Sequence, residues 1–256
     1  MNFLVTGNTD VGLVKKTNQD SLSIKVINTK QGKMVLAVLC DGMGGLQKGE
    51  VASASLIYEF DRWCRQDFSV LTENRISNSE ICKQWENIVK QMNNRIMNYG
   101  KENDVRLGTT VTAILLTQEY YYIMNVGDTR AYEISDKMIQ LTNDHSLVAR
   151  EVALGHLTPE EAEHDKRRNV LLRCVGATET AEPDMFFGKT KKNAVYMLCS
   201  DGFRHEISPY ELYEAFKPEK MIDEKTMNEK SIELIELNKE RKERDNISVI
   251  LIKTTD

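Results

Sequence analysis

No apolar run in this 256-residue chain approaches the roughly 20 residues that a bilayer-spanning helix requires. The opening Met1-Asn2-Phe3-Leu4-Val5-Thr6-Gly7 also lacks the basic n-region and long apolar stretch of a secretory leader. Excess positive charge is missing as well. The formal net charge is −5 and the pI is near 5.6, so there is no basic field of the kind that nucleic-acid binding demands. Basic residues cluster only locally, at Lys15-Lys16 and Lys166-Arg167-Arg168, where the ordinary reading is solvated surface. Cys40, Cys64, Cys82, Cys174 and Cys199 make an odd count with no CxxC spacing, which argues against both a disulfide framework and a zinc site. These absences point to a reduced, cytoplasmic protein that binds neither membranes nor nucleic acids.

What is present is enough for a substantial core: 41% of the residues are hydrophobic, and no break in composition argues for splitting residues 1–256 into more than one domain. Leu22, Ile24 and Val26 alternate with Ser21, Ser23 and Lys25, the pattern of a half-buried strand. Met34 to Cys40 is almost continuously apolar and reads as a strand buried on both faces that stops at Asp41-Gly42. A helix of about twenty residues follows Gly49, with Val51, Leu56, Phe60 and Trp63 along it. A second helix places Ile81, Trp85, Ile88, Val89, Met92, Ile96 and Tyr99 on one face, a core-packing stripe and not a cofactor box. Thr110–Leu116, Tyr120–Val126, Arg130–Ile134 and Met138–Leu141 read as antiparallel strands joined by tight turns. The polar excursion 143–168, interrupted by Gly155 and Pro159, is expected to be a surface flap. Another buried strand runs from Ala194 to Ser200, a charged helix spans roughly 219–240, and Ile247–Lys253 closes the chain as a strand. Antiparallel sheets packed on each other with helices outside, an α+β arrangement, follow from that order.

The acids carry the chemistry. Two buried strands run straight into Asp-Gly, at Asp41-Gly42 and Asp201-Gly202. Asp20 opens a third strand, Asp128 sits between two hairpin strands, and Asp245 precedes the last strand. One such Asp is ordinarily a turn residue. Five at strand ends are harder to dismiss, because two carboxylates about 4 Å apart repel by roughly 4 kcal/mol at an effective dielectric of 20. Protons, Lys or Arg partners, or cations must compensate. Oxygen ligands with few His or Cys nearby favour Mg or Mn over Zn.

Eight segments, in order, then make the chain recognisable: Thr9-Asp10-Val11-Gly12 with Asn18-Gln19-Asp20; Asp41-Gly42-Met43-Gly44-Gly45; Gly49-Glu50-Val51-Ala52-Ser53; Gly108-Thr109-Thr110; Asn125-Val126-Gly127-Asp128-Thr129-Arg130; Leu141-Thr142-Asn143-Asp144-His145-Ser146; Ser200-Asp201-Gly202; and Asp245-Asn246-Ile247-Ser248. The sequence resembles the bacterial metal-dependent protein phosphatases of the 2C type over nearly its whole length. The resemblance implies a four-layer αββα sandwich, two mostly antiparallel sheets flanked by helices, with the active site at one edge of the sheets. It implies two Mn or Mg ions per chain. Asp41 would bridge them, the Gly42 carbonyl and Asp20 would support one, and Asp201 and Asp245 would hold the other. Asp128 matches the position of a third, weaker cation. Water shared between the two metals is the expected nucleophile, with Asp41 and Asp201 as the catalytic carboxylates. Phosphorylated proteins are the implied partners, and bacterial relatives commonly oppose a Ser/Thr kinase. A monomer is expected.

Some positions depart from better-known members. The phosphate-gripping Arg is Lys15 here, Gln19 replaces a common Glu, and Met43 stands where eukaryotic members carry a proposed general acid. His205 occupies the place of an Asp that other members use for the third metal; its ordinary reading is a surface or packing histidine. A Walker A loop is excluded because Gly44-Gly45-Leu46-Gln47-Lys48-Gly49-Glu50 lacks Gly-Lys-Ser/Thr. A cysteine phosphatase is excluded by the Cys199–Arg204 spacing and by the apolar strand around Cys199. The rival reading is a pseudophosphatase that binds a phosphoprotein without hydrolysing it, and Lys15 is the one residue that favours it.

Overall fold

The structure is a computed structural model that describes residues 1–44, 48–68, 71 and 76–255. Gly45, Leu46 and Gln47 of the glycine-rich run lie outside the described residues. One sheet has the order β1-β11-β10-β7-β8, formed by Asn2–Asp10, Ile247–Thr255, Val195–Cys199, Arg130–Ile134 and Met138–Gln140. The other has the order β2-β3-β5-β6-β9: Asp20–Thr29, Gly32–Gly44, Val111–Leu116, Tyr120–Val126 and Asp184–Lys189. A short β4, Leu107–Thr109, pairs with the far end of β3. Every strand pairing is antiparallel.

The period-two geometry of a strand explains why the central strands are apolar throughout. Along β3, Met34, Leu36, Val38 and Cys40 face outward into a core with α1 (Gly49–Gln66) and α2 (Asn78–Asn103). The intervening Val35, Ala37 and Leu39 face inward, where they meet Tyr196 and Leu198 of β10 and Ile250 and Ile252 of β11. On the opposite side, Val195, Met197 and Cys199 join Val249 and Leu251 against α6 (Pro209–Phe216) and α7 (Glu224–Glu240). Three cores therefore separate four layers, helix, sheet, sheet, helix, as expected. Each fully buried Leu, Ile or Val adds about 1.5–3 kcal/mol relative to exposure. The helical stripe of α2 is core as expected: Trp85 packs edge-on against Phe60 and Trp63 of α1.

The expected boundaries shift in several places. β3 does not stop at Asp41-Gly42 but continues to Gly44, because β4 offers it a partner with Gly42 opposite Thr109. The charged helix begins at Glu224, where Asp223 caps it by accepting from Thr226 N at 2.7 Å; residues 218–220 form a separate 3₁₀ turn. Strands β1, β4 and β9 and helix α6 carried too weak a sequence pattern to be expected. The segment 143–168 contains α3 (Leu147–Ala153) and α4 (Pro159–His164), each capped by a Ser or Thr side chain. All five cysteines are free, and burial pushes the Cys199 thiol up to about 12, so it is inert core as expected. No described helix is long and apolar enough to cross a membrane.

Candidate active site

The ends of β2, β3, β10 and β11 and the β6–β7 turn meet at one edge of the two sheets, and the expected acids arrive with them. Asp20 and Asp41 are directly opposite in the β2–β3 register. Asp201 opens the short helix α5 (Asp201–Arg204) just after β10, and Asp245 lies two residues before β11. Asp128 sits in the turn between β6 and β7. Asp20, Asp128 and Asp201 are each 7% exposed, far below what an unpartnered carboxylate tolerates.

The cost of gathering these charges is visible in their titration. Burial, followed by the charges of Asp20, Asp201, Asp128 and Asp245, pushes Asp41 well above the usual carboxylate range. Burial and the charges of Asp201 and Asp245 raise Asp20 to about 7, although Ser248 donates to its Oδ2 at 2.5 Å. Asp128 also rises to about 7 through burial and the charge of Asp201, against the counteracting pull of Arg204. Lys15, expected to grip phosphate, reaches into the same cluster and places Nζ 2.8 Å from Asp245 Oδ1. Burial opposes its ammonium, but Asp245, Asp41 and Asp201 outweigh that penalty and raise its pKa.

The sequence motifs around the acids are braces. Thr110 Oγ1 accepts from Asp41 N at 2.9 Å, while Thr110 N and Thr109 Oγ1 donate to the Asp41 carbonyl at 2.8 and 2.9 Å. Gly42 has no room for a side chain: a Cβ would lie 2.4 Å from the Gly49 carbonyl oxygen and 2.5 Å from that of Gln19. Glycine at this position allows the close packing of three backbones. Gly202 is confined in the same way by the Asn246 carbonyl, 2.2 Å from a Cβ position. Asn246 accepts from Gln19 N at 2.9 Å and donates to Val11 O at 2.9 Å and Thr17 O at 3.2 Å, so it pins the 11–19 loop that carries Lys15. Arg130 grips Asp144 through one guanidinium edge, Nε and Nη2 each donating to a carboxylate oxygen, and ties the segment after β8 to β7.

Two residues had no expected role here. His205 is nearly buried, with Nε2 3.7 Å from Asp201 Oδ2 and Nδ1 3.5 Å from Glu243 Oε2. Glu243 in turn accepts from the Arg244 and Asp245 amides at 2.6 and 2.9 Å. Only its position two residues before Asp245 could have signalled it.

The donor set fits hard divalent cations. Asp20 Oδ1 and Asp201 Oδ1 are buried without a hydrogen-bond partner, and the flanking groups are carboxylates and carbonyls. Among the described residues, no three His, Cys, Asp or Glu side chains are drawn to ligating distance of one point. The carboxylates stand within electrostatic reach of one another but apart, as like charges do, and the Lys15 ammonium takes up part of the imbalance.

An αββα sandwich with a cluster of acids at the edge of its paired sheets is the architecture of a metal-dependent phosphatase. A protein phosphatase 2C family model matches residues 14–236, and the chain belongs to that family. It is 31% identical over 248 residues to a serine/threonine phosphatase stp of Listeria innocua, covering 95% of this chain and 93% of that one. The Streptococcus agalactiae serine/threonine phosphatase superposes with a TM-score of 0.85 at 29% identity, over 99% of this chain and 100% of the other. The catalytic domain of the phosphatase PstP, solved in complex with two manganese ions, superposes with a TM-score of 0.78 at 28% identity and full coverage of both chains.

Proposed function

We propose that this acidic centre hydrolyses phosphoserine and phosphothreonine on proteins, with residues 1–256 as one catalytic unit and 143–168 as its flap. The observation that carries the site assignment is the pair of buried, unpartnered carboxylate oxygens, Asp20 Oδ1 and Asp201 Oδ1, facing a cluster whose members raise one another's pKa. Asp41, Asp20 and the Gly42 carbonyl would hold one Mn or Mg ion, and Asp41, Asp201 and Asp245 the other, with Asp128 beside a third. The relative solved with two manganese ions supports that count. When bound, such cations neutralise the carboxylates, activate water and stabilise charge developing on phosphate.

The chain's own residues supply position. The Thr109-Thr110 brace fixes the Asp41 backbone, so its carboxylate swings only about χ angles. Ser248 orients Asp20. Lys15 would release Asp245 as cations load and turn its ammonium to a phosphate oxygen of the substrate, one point charge in place of an Arg fork. The substrates would be phosphorylated proteins made by a Ser/Thr kinase, met by a monomer in the cytoplasm. The pseudophosphatase reading gains nothing from the relatives, which are named as phosphatases. The test is turnover of a phosphothreonine peptide and of p-nitrophenyl phosphate, with Mn and with EDTA. Hydrolysis that requires Mn and returns when it is restored is expected. Binding of the peptide without turnover would overturn the assignment.

A further inference from the structure

Beside the acidic centre, and sharing Lys15 and Asp245 with it, lies a cavity of about 400 Å³. Its wall is built from separate segments: the end of the flap at Arg168, the loop after α5 at His205 and Glu206, and the segment Lys242–Asp245 before β11. One pair of its charges is matched, Lys15 held by Asp245. What is left is three cations, Arg168, Lys242 and Arg244, against Glu206 and the buried Glu243, whose carboxylate already accepts from the Arg244 and Asp245 amides, an excess of positive charge in a protein whose net charge is −5. Lys242 and Arg244 are exposed, and neither side chain has an ion-pair or hydrogen-bond partner among the described residues. Among the described residues, the Arg168 guanidinium donates only to the Glu163 carbonyl, at 3.1 Å. One residue from each cluster read from sequence as plain solvated surface, Lys15 and Arg168, lines this cavity.

Three cations around one concavity repel unless an anion enters it, and an entering carboxylate or phosphate gains charge-assisted hydrogen bonds from two segments at once. This rim adjoins the acidic centre through Lys15 and Asp245, so a peptide whose phosphate reaches that centre lies beside it. In extended conformation, the peptide advances about 3.3 Å per residue, so a side chain within a few positions of the phosphosite falls into the cavity.

We propose that Arg168, Lys242 and Arg244 form a second anion-binding subsite that selects substrates carrying a negatively charged group next to the phosphoresidue. The proposal rests on the phosphatase reading of the neighbouring centre. The ligand chemistry is a carboxylate or a second phosphate, and the experiment separates the two sources.

The Mn-loaded full chain is assayed on a phosphothreonine peptide flanked by alanines, on a series with Glu at each of the three positions on either side, and on a matching series with phosphoserine in place of Glu. For the wild type, kcat/KM for at least one acidic peptide is expected to exceed that of the alanine peptide by about fivefold, the reach of one or two partly desolvated ion pairs. The preference should shrink as salt is raised. Advantage in the Glu series assigns the ligand as a carboxylate; advantage only in the second series assigns it as a phosphate. The double variant Lys242→Glu/Arg244→Glu, and independently Arg168→Glu on the other segment, should bring the acidic-to-alanine ratio to one or below. A wild-type ratio near one in both series overturns the proposal, as does a preference that survives both variants. Wild-type turnover of p-nitrophenyl phosphate, measured alongside, distinguishes the two failures. If it is present, only the subsite falls; if it is absent, the phosphatase reading falls and the subsite with it.

Discussion

The Lys15 ammonium lies 2.8 Å from Asp245 Oδ1, and it feels Asp41 and Asp201 as well. A cation tethered in this way competes with a metal ion for the same carboxylate, yet it also offers the only positive charge of the 11–19 loop turned to the centre. The two roles predict opposite signs. Lys15→Met should strengthen Mn binding severalfold in a calorimetric titration while raising KM for a phosphopeptide. The loss of phosphate grip should be about 1 kcal/mol, the net scale of one hydrogen bond. Lys15→Arg should lower KM with little change in kcat, and Lys16→Ala should do neither. A Lys15→Met variant with unchanged KM would remove Lys15 from phosphate binding.

The buried acids make metal-free stability depend on pH in a definite direction. Asp20 and Asp128 titrate near 7 in the fold, well above an unfolded Asp. The folded state therefore holds protons that the unfolded chain has already lost, so stability falls as pH rises from about 5 to 8. In EDTA, the melting temperature should be higher at about pH 5.5 than at pH 8, and Asp20→Asn should flatten the slope. Saturating Mn should abolish the decline, because cations bind the ionised carboxylates. A metal-free melting temperature that climbs over this interval would show that these acids are not the strained groups they are argued to be.

How much of this could be read in advance divides along physical lines. β3 and β10 were legible because two packed faces demand continuous apolar residues, and α2 because a 3.6-residue period survives 26 residues. β9 was not, since Asp184–Lys189 is an edge strand with only partial burial and a glycine, Gly188, near its end. The five Asp positions were legible from their strand ends. Their braces were not, because Thr110 to Asp41 and Asn246 to Gln19 are contacts across 69 and 227 residues. At Gly42 and Gly202 the glycine after Asp answers the approach of another backbone, which local pattern does not reveal.

Removing charge from the proposed dinuclear centre separates catalysis from stability. Asp41→Asn or Asp201→Asn deletes one member of a set whose mutual repulsion drives Asp41 well above its ordinary range. The metal-free variants should melt at or slightly above the wild type. Turnover should fall by about a hundredfold or more, the scale of losing one preorganised charge stabiliser. Near-normal kcat in either variant would show that the carboxylate concerned does not serve the reaction.

The last prediction concerns Asn246, which touches no expected substrate atom. Its side chain holds the Gln19 amide and the Val11 and Thr17 carbonyls, and these three bonds fix both ends of the loop that presents Lys15. Asp is nearly the same size and can still accept from Gln19 N, but it cannot donate, and its charge would join an already crowded set of acids. Asn246→Asp should therefore destabilise by about 0.5–1.5 kcal/mol, the net scale of a hydrogen bond, since the Val11 and Thr17 carbonyls belong to exposed residues. Asn246→Ala should lose all three bonds. Hydrogen exchange should accelerate for residues 11–19 in both variants, and not for β3 or β10, whose packing does not depend on the loop. KM should rise more than kcat falls, since the loop carries the phosphate grip and not the acids. Slow exchange of residues 11–19 in Asn246→Ala would mean that the loop is held by other contacts, and the placement of Lys15 would then need a different cause.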